Sequence, residues 1–212
     1  MNNFKFMKKY LDKKVKLKKW QWVGILMLTV VFAGFFGWIY EFIFYFFDGG
    51  MGEFYMQGGN FLPWINIYAI GAVLIILTCW KIRKYPWMVF LVSILVTGAL
   101  EFLSGWLIYV IGNGTRYWDY NVEILNFGNI GGFVCLRSVL VFGFSALLFM
   151  YVVLPFFIWL SGKMSKRVFL TLAITLFTLV MVDEVYNLLA SKFFGWPDAI
   201  EFYKKLGWKY LS

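Results

Sequence analysis

The chain has 212 residues, of which 62% are hydrophobic, 23% are aromatic and 15% are charged, and its net charge is +9. A soluble domain is ~25% charged and ~45–50% apolar, so this composition would expose more apolar surface than one small core can cover. The sequence has no histidine, two cysteines and no Gly-x-x-x-x-Gly-Lys-Ser/Thr motif. These facts exclude histidine-dependent triads and metal sites, a disulfide scaffold and a P-loop ATPase within this sequence.

Long apolar segments predict membrane-spanning helices, because a helix needs ~20 mainly apolar residues to cross a bilayer. The predicted spans are residues 20–47, 61–80, 87–111, 138–160 and 168–189. The expected fold class is therefore all-α, a polytopic transmembrane helix bundle of about five spans, with a sixth left open. We expect residues 20–189 to form one membrane domain, between a basic amphipathic segment at 1–19 and an interfacial tail at 190–212.

Basic residues predict the orientation of the spans, since Lys and Arg beside membrane helices usually stay in the cytoplasm. Eight lysines precede residue 20, three basic residues lie at 81–84 and three lie at 163–167, which is 14 of the 20 Lys and Arg. The 112–137 segment has only Arg116 and Arg137. We expect a multi-pass protein of the cell membrane, with a cytoplasmic N-terminus and, for five spans, an external C-terminus.

Apolar residues recur at helical spacing at both ends of the chain, which is typical of helices in the membrane interface. The N-terminal set is Phe4, Met7, Leu11 and Val15, and the C-terminal set is Ala199, Phe202, Tyr203, Leu206 and Tyr210. Anionic lipids of the inner leaflet would attract the lysines of the N-terminal segment. We assign most of the positive charge to the membrane surface and expect no nucleic-acid partner.

Carboxylates lie inside three of the predicted spans, where a charge costs ~2.5–3.5 kcal/mol on insertion scales and therefore suggests a function. Glu41 is in the first span, Glu101 in the third, and Asp183 and Glu184 in the fifth. They lie about 14 to 21 residues from the cytoplasmic starts of their spans, which predicts positions in the outer half of the bilayer. Arg137 begins the fourth span and is the expected counter-ion of Glu41, Glu101 or Asp183, because a guanidinium can hold a carboxylate with two hydrogen bonds.

We predict that these residues form one polar cluster with an opening to the outside. The predicted ligand-binding set is Tyr40, Glu41, Tyr68, Glu101, Asp119, Asn129, Arg137, Asp183 and Glu184. Three interpretations stay open: a ligand or transport site, an acid–base or metal-assisted enzyme site, and buried ion pairs that only fix helix packing. No catalytic residue, metal ligand or cofactor is assigned.

Glycines mark the connection between the third and fourth spans. Gly128, Gly131 and Gly132 allow backbone conformations that bulkier residues resist. The segment is therefore interpreted either as an outer loop with tight turns or as a re-entrant segment at the mouth of the cluster.

Seven short pieces of the sequence occur in a characteristic order. They are GWIYE at 37–41, FLP at 61–63, IYAIG at 67–71, LEFLSG at 100–105, YWDY at 117–120, NIGGFVCL at 129–136 and Gly143. Over residues 30–190 the chain thereby resembles the putative ABC-transporter type IV family, which consists of small bacterial multi-span proteins. It departs from the family pattern at Phe133, where an arginine is usual, and at residues 57–59, which are Gln-Gly-Gly where the family usually has Arg-Gly.

The resemblance implies an integral membrane permease-like transport component in a bacterial cell membrane. Such a chain would work as a homo-oligomer or with a separate ATPase subunit, since it has no ATPase motif of its own, and it is expected not to be an enzyme. Two alternatives remain: a substrate-capturing membrane subunit of a multi-subunit transporter, and a membrane enzyme acting on a lipid or envelope substrate at the outer leaflet. The enzyme would use Glu41, Glu101 or Asp183 as a base and Arg137 to bind a phosphate.

Overall fold

The computed structural model describes residues 3–48, 55–56 and 58–210. Within these residues the α-helices are α1 (Asn3–Leu11), α2 (Lys19–Asp48), α3 (Asn66–Cys79), α4 (Pro86–Ile111), α5 (Leu136–Leu148), α6 (Leu154–Lys163), α7 (Lys166–Val185), α8 (Ser191–Phe194) and α9 (Ala199–Lys205). Two π-helical segments, Phe149–Val153 and Tyr186–Ala190, join α5 to α6 and α7 to α8. The side chains of Phe4 and Tyr210 and the whole of Gln57 lie outside the described part.

The described helices confirm the all-α, polytopic prediction. Four of them are long and apolar enough to cross a membrane: Lys19–Asp48, Pro86–Ile111, Leu136–Lys163 and Lys166–Leu189. The shorter apolar helix α3 brings the number of segments to the five that were predicted. A parallel pair of two-residue strands, β1 (Tyr55–Met56) with β2 (Lys209–Tyr210), is the addition that the sequence did not predict.

The second predicted span begins later than its apolar sequence indicated. The prediction started this span at Phe61, whereas α3 starts at Asn66 and has 14 residues, a length of ~21 Å against a hydrocarbon core of ~30 Å. Pro63 disfavours helix in the residue before it and supplies no backbone donor, and the amide of Ile65 donates to the carbonyl of Gly34 on α2 at 3.1 Å. Residues 61–65 therefore run as an irregular segment.

The chain divides into two compact units, which are described separately. Unit 1 comprises Met1–Trp22 and Gly71–Lys163, and unit 2 comprises Val23–Ile70 and Met164–Ser212. In unit 1, α4 packs closely on α5 at two glycines. A methyl group at Gly98 would lie 3.0 Å from Val139, and one at Gly143 would lie 2.7 Å from Phe90. Small residues at such points let membrane helices approach each other.

Helix α1 is attached to the rest of unit 1 by Tyr10, which is fully buried. The Tyr10 hydroxyl donates to the carbonyl of Met150 at 2.7 Å, and Nε of the buried Arg83 donates to the carbonyl of Tyr10 at 2.8 Å. The Arg83 guanidinium also lies over the Trp80 ring, 3.7 Å from its centroid. The sequence predicted an amphipathic helix here, but neither Tyr10 nor Arg83 was among the residues expected to hold it.

Unit 2 has a core around Trp64, where the irregular segment passes α2. The Trp64 indole packs with Ala69 and Val180, and its Nε1 donates to the carbonyl of Val30 at 3.0 Å. Helix α9 joins this unit through Tyr203, whose hydroxyl donates to the carbonyl of Phe61 at 2.9 Å. The predicted C-terminal amphipathic segment thus includes a short helix that is hydrogen-bonded to the irregular segment.

Candidate functional site

Glu101 is a buried carboxylate on the apolar helix α4, and its side chain is held by two hydroxyl groups. The residue is 4% exposed. The hydroxyl of Tyr120 donates to Oε1, and the hydroxyl of Ser138 donates to Oε2 at 2.7 Å. Tyr120 belongs to the connection between α4 and α5 and Ser138 to the first turn of α5. We call these three residues the Glu101 group.

The start of α5 fixes the position of Ser138. Cys135 is the residue before the helix, and its backbone amide donates to the Ser138 hydroxyl oxygen at 3.3 Å. A serine hydroxyl has one hydrogen and two acceptor sites, so Ser138 can accept from Cys135 while it donates to Glu101. Burial and the neighbouring Glu101 raise the pKa of Tyr120, so that its hydroxyl stays protonated and remains a donor.

Arg137 lies beside the Glu101 group and forms an ion pair with Glu123. The guanidinium is 2.6 Å from Oε2 of Glu123, the two side chains are 10% and 6% exposed, and the guanidinium carbon is 5.3 Å from the centroid of the Tyr120 ring. Arg137 also donates to the carbonyl of Ile124 at 3.1 Å. The sequence predicted a carboxylate partner from within a span, whereas Glu123 comes from the connection. This residue was missed because no periodic pattern marks a loop residue as buried.

The predicted site residues Asp119 and Asn129 shape the connection between α4 and α5. Asp119 lies 3.6 Å from the guanidinium of Arg116 and accepts from the backbone amide of Asn121 at 3.0 Å. Asn129 donates to the side chain of Asn121 at 2.8 Å and accepts from the backbone amide of Gly132 at 2.8 Å. The loop has no regular secondary structure at these positions, and the hydrogen bonds of these side chains to its backbone order it instead.

Asp183 and Glu184 in unit 2 accept hydrogen bonds from the irregular segment and from the two asparagines that flank it. Asp183 accepts from the backbone amides of Phe61 at 3.1 Å and Leu62 at 2.6 Å. Glu184 accepts from the side-chain amides of Asn60 and Asn66, both at 2.8 Å. Among the described residues, no basic side chain forms an ion pair with either carboxylate. We call these residues the Asp183–Glu184 group.

Asn187 completes this group and was not predicted. Its side-chain amide donates to the Asp183 carboxylate at 2.8 Å, and its side-chain carbonyl accepts from the backbone amide of Ala199 at 2.8 Å. The signal was present, because residues four apart share one face of a helix. The group connects α7, the irregular segment and the start of α9 through neutral donors. Such bonds stabilise the packing of these three parts.

Tyr40, Glu41 and Tyr68 are the remaining predicted residues. The rings of Tyr40 and Tyr68 lie 6.3 Å apart within unit 2, and Tyr68 packs against Gly37. Unit 1 thus contains Glu101, Asp119, Asn129 and Arg137, and unit 2 contains Tyr40, Glu41, Tyr68, Asp183 and Glu184. The Glu101 group is assembled within unit 1 and the Asp183–Glu184 group within unit 2. A single cluster of all nine residues stays a prediction.

The described residues also include both cysteines, which are buried and not bonded to each other. Within the part of the chain that the structure covers, no three His, Cys, Asp or Glu side chains are arranged to hold a metal ion. The chemistry available around Glu101 is therefore that of a carboxylate acceptor with hydroxyl donors and a nearby arginine–glutamate pair.

The chain has several apolar helices of membrane-spanning length, which define a polytopic membrane protein. Three of its apolar helices also contain carboxylates, which are rare inside membrane spans. A family model described as "Putative ABC-transporter type IV" matches residues 6–188, and the chain belongs to this family. The resemblance inferred from the sequence is thereby confirmed, and the chain is a membrane transport component. No curated protein and no solved structure matches the chain.

Proposed function

We propose that the chain is the permease-type subunit of a transporter driven by a separate ATPase, and that the Glu101 group contacts the transported solute. Membership of the family supports the transport role, and the lack of a P-loop makes a partner necessary for ATP-driven transport. The observation that carries the proposal for Glu101 is its burial inside an apolar helix with two side-chain hydroxyls as partners.

Side-chain hydroxyls are partners that a solute can replace. A serine or tyrosine hydroxyl can turn away from a carboxylate, and the carboxylate can then accept from an N–H or O–H group of the solute. Intramembrane carboxylates that face a protein interior commonly mark such pathways. The Glu101 group would therefore select solutes that carry a positive charge or hydrogen-bond donors.

The proposed orientation places the N-terminus in the cytoplasm and the connection between α4 and α5 outside. The distribution of basic residues supports this orientation, because 14 of the 20 Lys and Arg lie on the N-terminal side of the spans or in the two connections that would share that side. Helix α1, held through Tyr10 and Arg83, would then be a folded cytoplasmic surface for the ATPase. Its lysines would also meet the anionic lipids of the inner leaflet.

The geometry of Arg137 favours transport over the enzyme alternative. An enzyme acting on a phosphate-bearing lipid needs an arginine whose donors face the substrate. Arg137 instead directs its guanidinium to the Glu123 carboxylate and to the carbonyl of Ile124. A substrate-capturing subunit would use the same Glu101 group, and it differs from a permease in passing the solute to another membrane subunit.

The test replaces Glu101 by glutamine in the full chain, which removes the charge and keeps the size of the side chain. A matched control is Thr97→Val on the same helix, because the one partner of the Thr97 hydroxyl among the described residues is the carbonyl of Ser93 in its own helix. Both variants are used to complement a strain that lacks the gene, at equal amounts in the membrane. We expect Thr97→Val to restore the wild-type phenotype and Glu101→Gln to fail.

Full complementation by Glu101→Gln would remove Glu101 from the proposed pathway. The ATPase is tested separately, by purifying the wild-type chain from native membranes after mild cross-linking and analysing the proteins that accompany it. A P-loop ATPase is expected among them. Its absence, together with unchanged activity when ATP is depleted, would contradict the partner that we propose.

A further inference from the structure

The connection between α4 and α5, residues 112–135, has apolar side chains on its surface. Val122 is 82% exposed, Leu125 is 62% exposed and Ile130 is 60% exposed, and Phe127 is also exposed. A loop that lies in water normally presents polar side chains and turns its apolar ones inward. The loop exposes polar residues such as Asn113, Thr115 and Asn121, but it also exposes these four large apolar side chains, which a loop in water would turn inward.

The charged groups of the same loop are paired. Glu123 is 6% exposed in its ion pair with Arg137. Arg116 and Asp119 lie 3.6 Å apart and are partly exposed, at 24% and 30%, and Arg116 also donates to the carbonyl of Gly131 at 3.0 Å. Tyr120 turns its hydroxyl to Glu101. Because each of these charges has a partner, contact of the loop with an apolar surrounding costs less than it would for unpaired charges.

Several backbone amides of the loop have partners within it. They donate from Tyr120 to the carbonyl of Gly132 at 3.1 Å, from Ile130 to Val134 at 2.9 Å and, at the start of α5, from Leu136 to Phe127 at 3.0 Å. The amide of Gly132 donates to the Asn129 side chain at 2.8 Å. Irregular backbone is tolerated at membrane depth only where it is buried in protein or lines a cavity, so the side chains of this loop, and not its backbone, must meet any lipid.

The loop also lies beside a part of α4 that belongs to the hydrocarbon region. Twenty residues of helix, ~30 Å, extend from Trp87 to Trp106, which equals the thickness of the hydrocarbon core. Gly105 lies within this length, and a methyl group there would be 2.9 Å from the Trp118 ring and 3.2 Å from the Phe133 ring. Helix α5 begins only at Leu136, close to the level of Glu101. Beyond that level, the loop and not a helix lies beside the last turns of α4.

We propose that the 112–135 loop is inserted in the membrane, with Val122, Leu125, Phe127 and Ile130 in contact with the acyl chains of the adjacent leaflet. The exposed apolar face of α4, which continues through Leu103, Leu107 and Val110 to its end, meets the same lipid. The loop is then re-entrant, and through Tyr120 it covers part of Glu101. In the orientation proposed above, this leaflet is the outer one.

The test uses single cysteines in the full-length protein, reconstituted in vesicles of phosphatidylethanolamine and phosphatidylglycerol. Val122→Cys, Leu125→Cys and Ile130→Cys are the test variants. Lys14→Cys, an exposed position between α1 and α2, is the aqueous reference, and Leu95→Cys, an exposed position in the middle of α4, is the lipid reference. A charged, membrane-impermeant maleimide is applied to both faces of the vesicles, so the result does not depend on the orientation. The buried native cysteines are measured in the wild type as background.

We expect the test cysteines to react ~10-fold or more slowly than the aqueous reference, as the lipid reference does, because the reactive thiolate needs water. A fluorescent group attached to them in detergent, before reconstitution, should then be quenched by nitroxide-labelled phospholipid. Labelling as fast as at Lys14→Cys would overturn the proposal. Slow labelling without quenching by the lipid would also overturn it, because the loop would then be covered by protein.

Discussion

The Glu101 group and the Asp183–Glu184 group both stabilise carboxylates inside apolar helices, but they do so with different hydrogen-bond partners. Both place carboxylates in helices whose composition suits lipid, where an unpaired charge is costly. Glu101 accepts from two side-chain hydroxyls, with the Glu123–Arg137 pair beside them. Asp183 accepts from two backbone amides, and Glu184 accepts from two asparagine side chains.

The two groups differ in how readily their donors could be replaced. Asp183 accepts from two backbone amides of the irregular segment, whose positions are set by the fold. The Ser138 hydroxyl can donate to the carbonyl of Cys135, at 2.8 Å, when it turns away from Glu101. For this reason we propose the Glu101 group as the solute site and interpret Asp183 as a residue that stabilises the irregular segment. Ligand binding by either group stays a prediction.

Asp183→Ala should have the largest effect on stability. The substitution leaves the amides of Phe61 and Leu62 without an acceptor and removes the bond from Asn187, which we expect to cost about 3 kcal/mol. The free energy of unfolding is measured by denaturant titration of the purified protein in detergent. Val182→Ala is the matched control, because the neighbouring Val182 side chain is exposed. An equally small effect of both variants would remove the structural role of Asp183.

Tyr120→Phe should have an intermediate effect, of about 2 kcal/mol, because it removes a hydrogen bond to a buried carboxylate. The same substitution in the Glu101→Gln background should cost less, since the acceptor is then neutral. The double-mutant cycle measures this coupling by unfolding the four proteins under identical conditions. Strict additivity of the two substitutions would show that Tyr120 and Glu101 do not interact energetically.

Asn66→Ala should have the smallest effect, about 0.5–1 kcal/mol, because it removes one side-chain bond to Glu184 at an exposed position. The measurement is the midpoint of thermal unfolding, compared with that of Asn60→Ala, whose side chain is buried and also bonds to Glu184. We expect the Asn60 variant to be the less stable of the two. The reverse order would mean that exposure does not govern the strength of these bonds.

The membrane class, the helical fold and the positions of the long spans could be predicted from the sequence. Composition excluded a soluble domain, and hydropathy located the four long helices to within a few residues. The start of α3 could not be located in this way, because apolar residues continue through Phe61, Leu62 and Pro63. The irregular segment depends on bonds to Gly34 and Asp183, which are far away in the sequence.

The candidate site was predictable only in part. The sequence identified Glu101, Arg137, Asp183 and Glu184 as ionisable residues in or beside spans, and it named Tyr120 and Ser138 only as parts of a motif and of a span boundary. Glu123 was missed, although it is the residue that pairs with Arg137. The sequence predicted that Arg137 pairs with a carboxylate of a span. That prediction rested on charge alone, and charge does not show which of several acidic residues an arginine side chain reaches.

Hydropathy and charge are properties of local sequence, and so they sufficed to establish that this chain is a helical membrane protein and to predict which side its basic segments face. The partners of each carboxylate are set by contacts between residues such as Glu101 and Ser138 or Asp183 and Phe61, which lie 37 and 122 positions apart. Only the tertiary structure could decide them, because a hydrogen bond requires a donor–acceptor distance that is right to about a few tenths of an ångström, and no linear pattern encodes such distances.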